Sequence, residues 1–467
     1  MKTECNTKQL EFQGIGRRGV VGKFDGGNIT SDAGGLLLRE VDDALGISKR
    51  CAECFTDYRA EKSIEHEVEA LVRQRIYGIA LGYEDLNDHD DLRWDPLLAV
   101  LCEKKDPTGS RRKNPRDRGK ALAGKSTLNR MELTEEEADK KNRYKKIKCN
   151  AGKVDDLLVD LFLDSREEVP HRIVLDVDAT DDLIYGNQEG RFFHGYYKNY
   201  CYLPLYIFCE DHLLCARLRP SNIDASEGTV EELQRIVFRI RQRWPEVEIV
   251  VRGDSGFCRE KIMAWCEGNE VEYILGLARN SRLEKIVHED LVDAQIMYAT
   301  KGKASRIYRD FFYQTRQSWS KSRRVVGKAE YLLKGANPRF VATSLSGDDM
   351  EAKKLYEEMY CARGNMENRI KEQQLYMFAD RTSTAKIRSN QIRLYFSSLA
   401  YVLVNALRRF GLKNTRLAKA QCHTIRLKLF KIGAQIRVTV RKIWVSFAEG
   451  YPYKDVFLQA FVNVTKT

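Results

Sequence analysis

The sequence predicts an α/β protein: a mixed sheet with flanking helices, preceded by a mainly helical N-terminal region and interrupted by a β-rich insertion. Three observations predict it. Apolar residues recur at helical spacing through much of residues 1–165; from Ile173 β-branched runs alternate with amphipathic stretches; and residues 278–345 are rich in Arg, Tyr, Phe and β-branched side chains. At 467 residues the chain has room for two to four domains of roughly 100–200 residues each. The limits read as 1–165, 166–277, 278–345, 346–420 and 421–467, the second and fourth being two parts of one core.

Composition narrows the class. Hydrophobic residues make up 43% and charged residues 31%, which excludes wholesale disorder. No apolar run approaches a membrane span, and the opening residues lack the basic-then-apolar order of a secretion signal, so the expected place is the cytoplasm. A net charge of +12 suits a polyanionic partner. Twelve cysteines are scattered without a disulfide framework, and the Cys51/Cys54 pair has no second pair at zinc-finger spacing.

Gly14, Gly16 and Gly19 match a dinucleotide-binding pattern, but without a strand before or a helix after them they read as a glycine loop. Thr30, Ser31 or Asp32 caps a helix from Ala33 to Leu45 with an apolar stripe of Leu36, Leu37, Val41 and Leu45. Two further helices, Ile64–Leu81 and Pro96–Cys102, flank an acidic joint; His66 and His89 beside it read as structural hydrogen-bonding groups. Residues 104–130 hold ten Lys or Arg against Asp106 and Asp117, a loop-like basic arm able to follow a phosphate backbone. Arg111, Arg112 and Lys113 are its candidate phosphate contacts. Residues 134–165 resume a charged helical pattern.

The strand Ile173–Val177 then runs into Asp176, Asp178, Asp181 and Asp182, four carboxylates that cannot all be buried without partners. Strands follow at Cys201–Phe208 and Leu213–Leu218, a helix at Thr229–Trp244, and a strand at Val247–Val251 that delivers Asp254. A helix at Arg259–Gly268 and a strand at Tyr273–Leu277 precede the insertion. Beyond it, helical patterns cover about Asp349–Arg381 and Lys386–Phe410. Near the C-terminus Ile425, Leu427 and Leu429 alternate with Arg426 and Lys428, a period of two that predicts a strand with a basic face; Val438, Val440, Ile443 and Val445 predict a further strand or helix.

Asp178, Asp254 and Glu367 thus come from two strand ends and a helix, with no His or Cys among them. Such oxygen-only donors suit two Mg²⁺ ions in phosphodiester chemistry rather than zinc. Tyr360, Arg363, Glu367, Lys371 and Gln374 follow one another at spacings of three and four, which places them on one helix face.

The run Tyr360-x-x-Arg363-x-x-x-Glu367 resembles the Y-R-E-K signature of IS4-type DDE transposases. Together with LDVDATDD, GNQEGRFFHGYY, CYLPLYIF, VRGDSGF, YCARGNMENRIKE and the N-terminal FDGGNITSDAGGLLLRE, it is similar to the IS1380 family of bacterial insertion-sequence transposases, from about residue 20 to 445. The resemblance implies a ribonuclease H-like catalytic core, interrupted before its last acid, with Asp178, Asp254 and Glu367 holding two Mg²⁺ ions for which Mn²⁺ can substitute. It selects Asp178 through the Asp-Ala-Thr order of residues 178–180, leaves Asp176 as a supporting acid, and leaves Asp181 and Asp182 to a solvated turn. Tyr360 and Arg363 would meet DNA near the cleaved phosphate. The signature Lys is expected seven residues beyond the Glu, where Gln374 stands; Lys371 lies on the same face. The implied activity is binding of terminal inverted repeats, with the helical N-terminal region 1–165 expected to bind DNA and read its bases, then cleavage and joining to target DNA, by a homodimer at the bacterial nucleoid. A ribonuclease H-like DNA nuclease and a non-catalytic transposase-derived DNA-binding protein are the alternatives.

Overall fold

A computed structural model describes residues 9–466. The chain forms two compact units: one of residues 134–136 and 149–405, the other of the remaining N-terminal residues to 148 and everything from Ala406. Among the described residues no helix is long and apolar enough to cross a membrane.

The larger unit is built on one mixed sheet. Its strands are β1 (Arg172–Ala179), β2 (Leu205–Cys209), β3 (His212–Arg217), β4 (Glu248–Gly253), β5 (Glu272–Leu277), β6 (Ser305–Tyr313), β7 (Arg323–Leu332) and β8 (Arg339–Thr343). They lie in the order β3-β2-β1-β4-β5-β8-β7-β6, with the short strand Gly335–Ala336 beside β7. Only β1, β4 and β5 run parallel to one another; every other pairing is antiparallel.

Period-two alternation assigns the side chains of β1 to two faces. Ile173, Leu175 and Val177 enter a core with Leu205 and Ile207 of β2, Val159 and Phe162 of helix α1 (Ala151–Asp164), and Leu233, Ile236 and Ile240 of helix α2 (Thr229–Arg243). Helix α3 (Glu260–Gly268) adds Ile262, Met263 and Cys266 to the same side. The other face of β4, β5, β7 and β8 supplies Val250, Ile274, Val326 and Val341 to a smaller core, closed by Leu355 and Tyr356, and Val174 of β1 packs against it. Asp176 and Asp178 share the face of Val174 and so look toward the helical run 352–376.

That run is irregular. Three residues of α-helix pass into a π-helical turn at Leu355–Tyr360, then a short 3₁₀ turn, the helix Gly364–Lys371, and a second π-turn at Glu372–Tyr376. Between β5 and β6 lie α4 (Ser281–Ile286) and α5 (His288–Lys301). The region 278–345 is therefore not purely β, and its strands extend the central sheet rather than forming a separate one. The helix Ile387–Ala406 packs Tyr401 against Phe208 of β2 and bonds Ala216 of β3 through Gln391.

The smaller unit contains the helices Gly35–Leu45, Val68–Leu81 and Pro96–Leu101 together with C-terminal elements. Gly35–Leu45 has no side-chain cap; its turn is closed by Gly35 N–H donating to the Asp32 carbonyl. A Cβ on Gly34 would lie 1.8 Å from the Leu429 carbonyl oxygen, so only glycine permits that approach. Residues 425–429, predicted as a strand, lie in a helical run from Cys422 to Phe430: Ile425 and Leu429 are buried at i,i+4 while Leu427 is 54% exposed. Residues 134–146, predicted as helix, contain none. The helix expected to end the N-terminal region, Ala151–Asp164, belongs to the larger unit because its apolar face packs on β3 and α2.

Candidate active site

In the parallel pair β1/β4, Val177 stands opposite Gly253, so Asp178 and Asp254 emerge side by side one residue further on. Each acid is oriented by a backbone donor: Ala179 N–H donates to Asp178 Oδ1 at 2.9 Å, and Gly256 N–H to Asp254 Oδ1 at 2.8 Å. Arg363 joins them to the helix. Its Nη1 donates to Asp178 Oδ2 at 3.2 Å and its Nη2 to Glu367 Oε1 at 2.8 Å. A cavity of about 530 Å³ is lined by all three acids, Arg363, Lys371 and Gln374.

The electrostatics are those of an under-compensated anionic site. Burial pushes the Asp178 carboxyl up to about 6; Arg363 opposes this, while Asp254 and Glu367 add to it. One guanidinium thus serves three carboxylates. Among the described residues no three His, Cys, Asp or Glu side chains stand close enough to cage a metal ion. Arg363 bridges Asp178 and Glu367. The donor set of three carboxylates nonetheless fits a hard divalent cation, and the guanidinium bridging two of them stands where positive charge is required.

Asp176 is not part of the cavity. Arg252 clamps it through Nε and Nη2 at 2.5 and 2.7 Å, and the same guanidinium donates to the Met359 carbonyl. The pair fixes the strand to the turn that precedes Tyr360. Asp182, expected in a solvated turn, is instead buried; burial drives its carboxyl well above the ordinary range. Gln374 donates to the Asp181 carbonyl at 3.0 Å and steadies that turn, whereas Lys371 is exposed on the cavity rim. Tyr360 does not line the cavity. Its ring packs near Tyr356 and its hydroxyl fills the space beside Gly276.

The family model for the transposase DDE domain, group 1, matches residues 12–467. The chain belongs to this family of DDE transposases. No curated protein matches it. Among solved structures it is similar to the piggyBac transposase synaptic complex with hairpin DNA, at 10% identity and a TM-score of 0.42, covering 86% of this chain and 80% of that one.

The transposase cavity has a wall to which sequence reasoning assigned no role, although its residues fall within the motif GNQEGRFFHGYY. His194, Tyr196 and Tyr197 line it from a small three-stranded sheet of Asp182–Leu183, Phe192–His194 and Asn199–Tyr202. The available signal was an aromatic run in an otherwise turn-like segment. Arg111, Arg112 and Lys113 lie in the other compact unit, lining a cavity of about 490 Å³ with Lys104 and Lys105. Arg111 and Lys113 are exposed, but Arg112 is committed inward, to Glu65 at 2.9 Å and to Nε2 of His66 at 2.7 Å. His89 is fully buried between Gln74 and Arg75, as a structural histidine would be.

Proposed function

We propose that this transposase is of the IS1380 type, with a ribonuclease H-like core that cleaves the terminal inverted repeats of its insertion sequence and joins the freed ends to target DNA. The observation that carries the reading is the convergence of Asp178, Asp254 and Glu367 on one cavity with Arg363 between them. Asp178, Asp254 and Glu367 would hold two Mg²⁺ ions, with Mn²⁺ as substitute, which would activate the attacking oxygen and stabilise the leaving one.

The chain's own residues do the rest. Backbone donors at Ala179 and Gly256 hold the two strand acids facing the cavity. Lys371, and Arg363 once freed from the carboxylates, meet the scissile phosphate. Tyr360 supports the strand end at Gly276 and through it the DNA strand. In the first step water attacks phosphorus and the P–O3′ bond breaks, leaving a 3′-hydroxyl and a 5′-phosphate. In the second, that hydroxyl attacks a target phosphate and displaces its 3′-oxygen. Duplex DNA is held by the smaller unit, including Arg111 and Lys113, and a homodimer brings two ends together in the bacterial cytoplasm at the nucleoid.

Asp178→Asn and Glu367→Gln are expected to bind end DNA like the wild type and to abolish Mg²⁺-dependent cleavage and joining, measured on labelled ends in a gel. Full cleavage by either variant would refute the assignment.

A further inference from the structure

Between Arg381 and Ala448 the chain carries fifteen Lys or Arg and no Asp or Glu. Over the whole protein the two signs nearly balance, so this segment concentrates the excess. Some of its charge is used internally: Arg426 donates to the carbonyls of Ile79 and Ala80, Lys431 pairs with Asp32, and Arg416 pairs with Asp455. Of the cations that stay exposed, Arg437, Arg441 and Lys442 stand together on a β-hairpin, Ala434–Val438 paired with Ile443–Phe447, while Lys413, Lys419 and Lys428 lie elsewhere in the segment.

The hairpin has the form of a reading element. The strand Ile29–Thr30 pairs with Ala434 and Gln435, and Ile436 N–H donates to the Asn28 carbonyl, so beyond Ile436 a two-stranded ribbon continues. Its tip is rigid. Thr439 N–H and Oγ1 both donate to the Lys442 carbonyl, and Lys442 N–H donates back to Thr439 Oγ1. Val440 and Arg441 are held at the end of that turn, fully exposed. On one face Gln435 stands opposite Ser446 and Arg437 opposite Trp444. The Arg437 guanidinium and the Lys442 ammonium lie 5.8 and 5.4 Å from the Trp444 ring, which keeps both cations extended along the ribbon. The opposite side at the base is occupied: Ile436 is buried and Phe447 packs on Phe457.

Two helices of this unit are poorer candidates. Val68–Leu81 is buried continuously from Leu71 to Leu81, and Gly35–Leu45 offers Glu40 and Asp43 at its surface. A two-stranded ribbon fits the major groove of B-DNA, and arginine is the side chain that most often reads guanine there.

We propose that the ribbon Ala434–Phe447 enters a groove of duplex DNA and reads base edges through Arg437 and Arg441, with Lys442 on phosphate. This rests on the reading of DNA as substrate, but it assigns sequence recognition to a β-ribbon instead of an N-terminal helix. The absence of acids decides in favour of DNA over a second copy of the chain on the exposed Val440 and Trp444.

The test is selection from a pool of duplexes with a randomised centre, using the full-length protein, followed by anisotropy titration of the enriched duplex and its scrambled control. Wild type and Asp178→Asn are expected to enrich the same motif. Arg437→Ala/Arg441→Ala is expected to lose the motif and to bind the enriched duplex at least about tenfold more weakly. Arg437→Lys/Arg441→Lys keeps the charge and is expected to retain binding to the scrambled control while losing preference for the motif. Melting curves of all variants should coincide, since the tip is solvent-exposed. The proposal is overturned if the wild type enriches no motif, if the alanine variant enriches the same one, or if the substitutions change the oligomeric state by light scattering and leave DNA selection untouched. Loss of cleavage by Asp178→Asn with selection intact would separate this proposal from the catalytic one.

Discussion

Asp176 and Asp178 stand two residues apart on one strand face, yet their surroundings give them different tasks. Asp176 is 3% exposed and held by the Nε–Nη2 edge of the Arg252 guanidinium, so its charge is already answered. Breaking such a pair strands a buried charge at a cost of about 3–5 kcal/mol, while replacing both partners by apolar groups is often near neutral. Arg252→Met should therefore lower unfolding stability in urea by about 3 kcal/mol, and Asp176→Leu/Arg252→Met should recover more than half of that. Failure of the double variant to recover would mean that the bond to the Met359 carbonyl matters more than the pair. His66 makes the opposite case. Burial first, and then Lys104 and Arg112, push its imidazole down to about 2. Because the folded value lies below the unfolded one near 6.5, the unfolded chain binds more protons, and stability falls as pH drops below 6.5. By pH 5 this amounts to about 2 kcal/mol. His66→Gln should flatten the melting temperature between pH 6.5 and 5; an unchanged slope would show that other groups carry the acid sensitivity.

At the scale of elements, the strands that deliver the acids were legible because β1, β4 and β5 are buried on both faces, and such strands read as continuous apolar runs ending abruptly in charge. The C-terminal helix was misread for an equally physical reason. Ile425 and Leu429 fit both a period of two and an i,i+4 step, and only the exposure of Leu427 and the burial of Arg426 tell them apart. Helices α4 and α5 went unseen because few residues face inward; Leu283, Val287 and Ala294 are buried while Val292 and Ile296 are exposed. The helical run carrying Glu367 was visible as a helix, but not its two π-turns, since nothing in a single residue's chemistry announces an i→i+5 bond. The first of those turns leads into the segment from which Arg363 reaches Asp178 of β1 and Glu367. The packing that holds them runs through Gly276, where a Cβ would meet Tyr360 Oη at 2.5 Å and the Ser255 amide nitrogen at 3.0 Å. Gly276→Ala should therefore cost about 1–3 kcal/mol of stability and lower the cleavage rate at saturating DNA, because it displaces both the helix and the strand end that bears Asp254. A variant that melts earlier but cleaves at the wild-type rate would separate the two effects and remove Tyr360 from site support.

For the whole molecule, net charge suits a polyanionic partner without saying where it would lie. The three acids were found from strand ends and a helical signature, whereas the wall made by His194, Tyr196 and Tyr197 depends on a small sheet whose pairing no local pattern encodes. The basic arm divides similarly. As a sequence, Arg111, Arg112 and Lys113 are equivalent; in the folded chain Arg112 is bound to Glu65 and His66, and Arg111 and Lys113 are left exposed. Counterion release makes these states separable, since each neutralised phosphate contributes a slope of about −0.9 to log K against log salt. Arg111→Gln and Lys113→Gln should each move the slope for a generic duplex toward zero by up to about 0.9. Arg112→Gln should leave the slope unchanged and lower the melting temperature instead, because it opens the cluster around His66. If all three substitutions shift the slope equally, Arg112 leaves its internal partners when DNA binds; if none does, the arm lies outside the binding surface and the C-terminal ribbon carries the charge dependence with the remaining exposed cations of its segment.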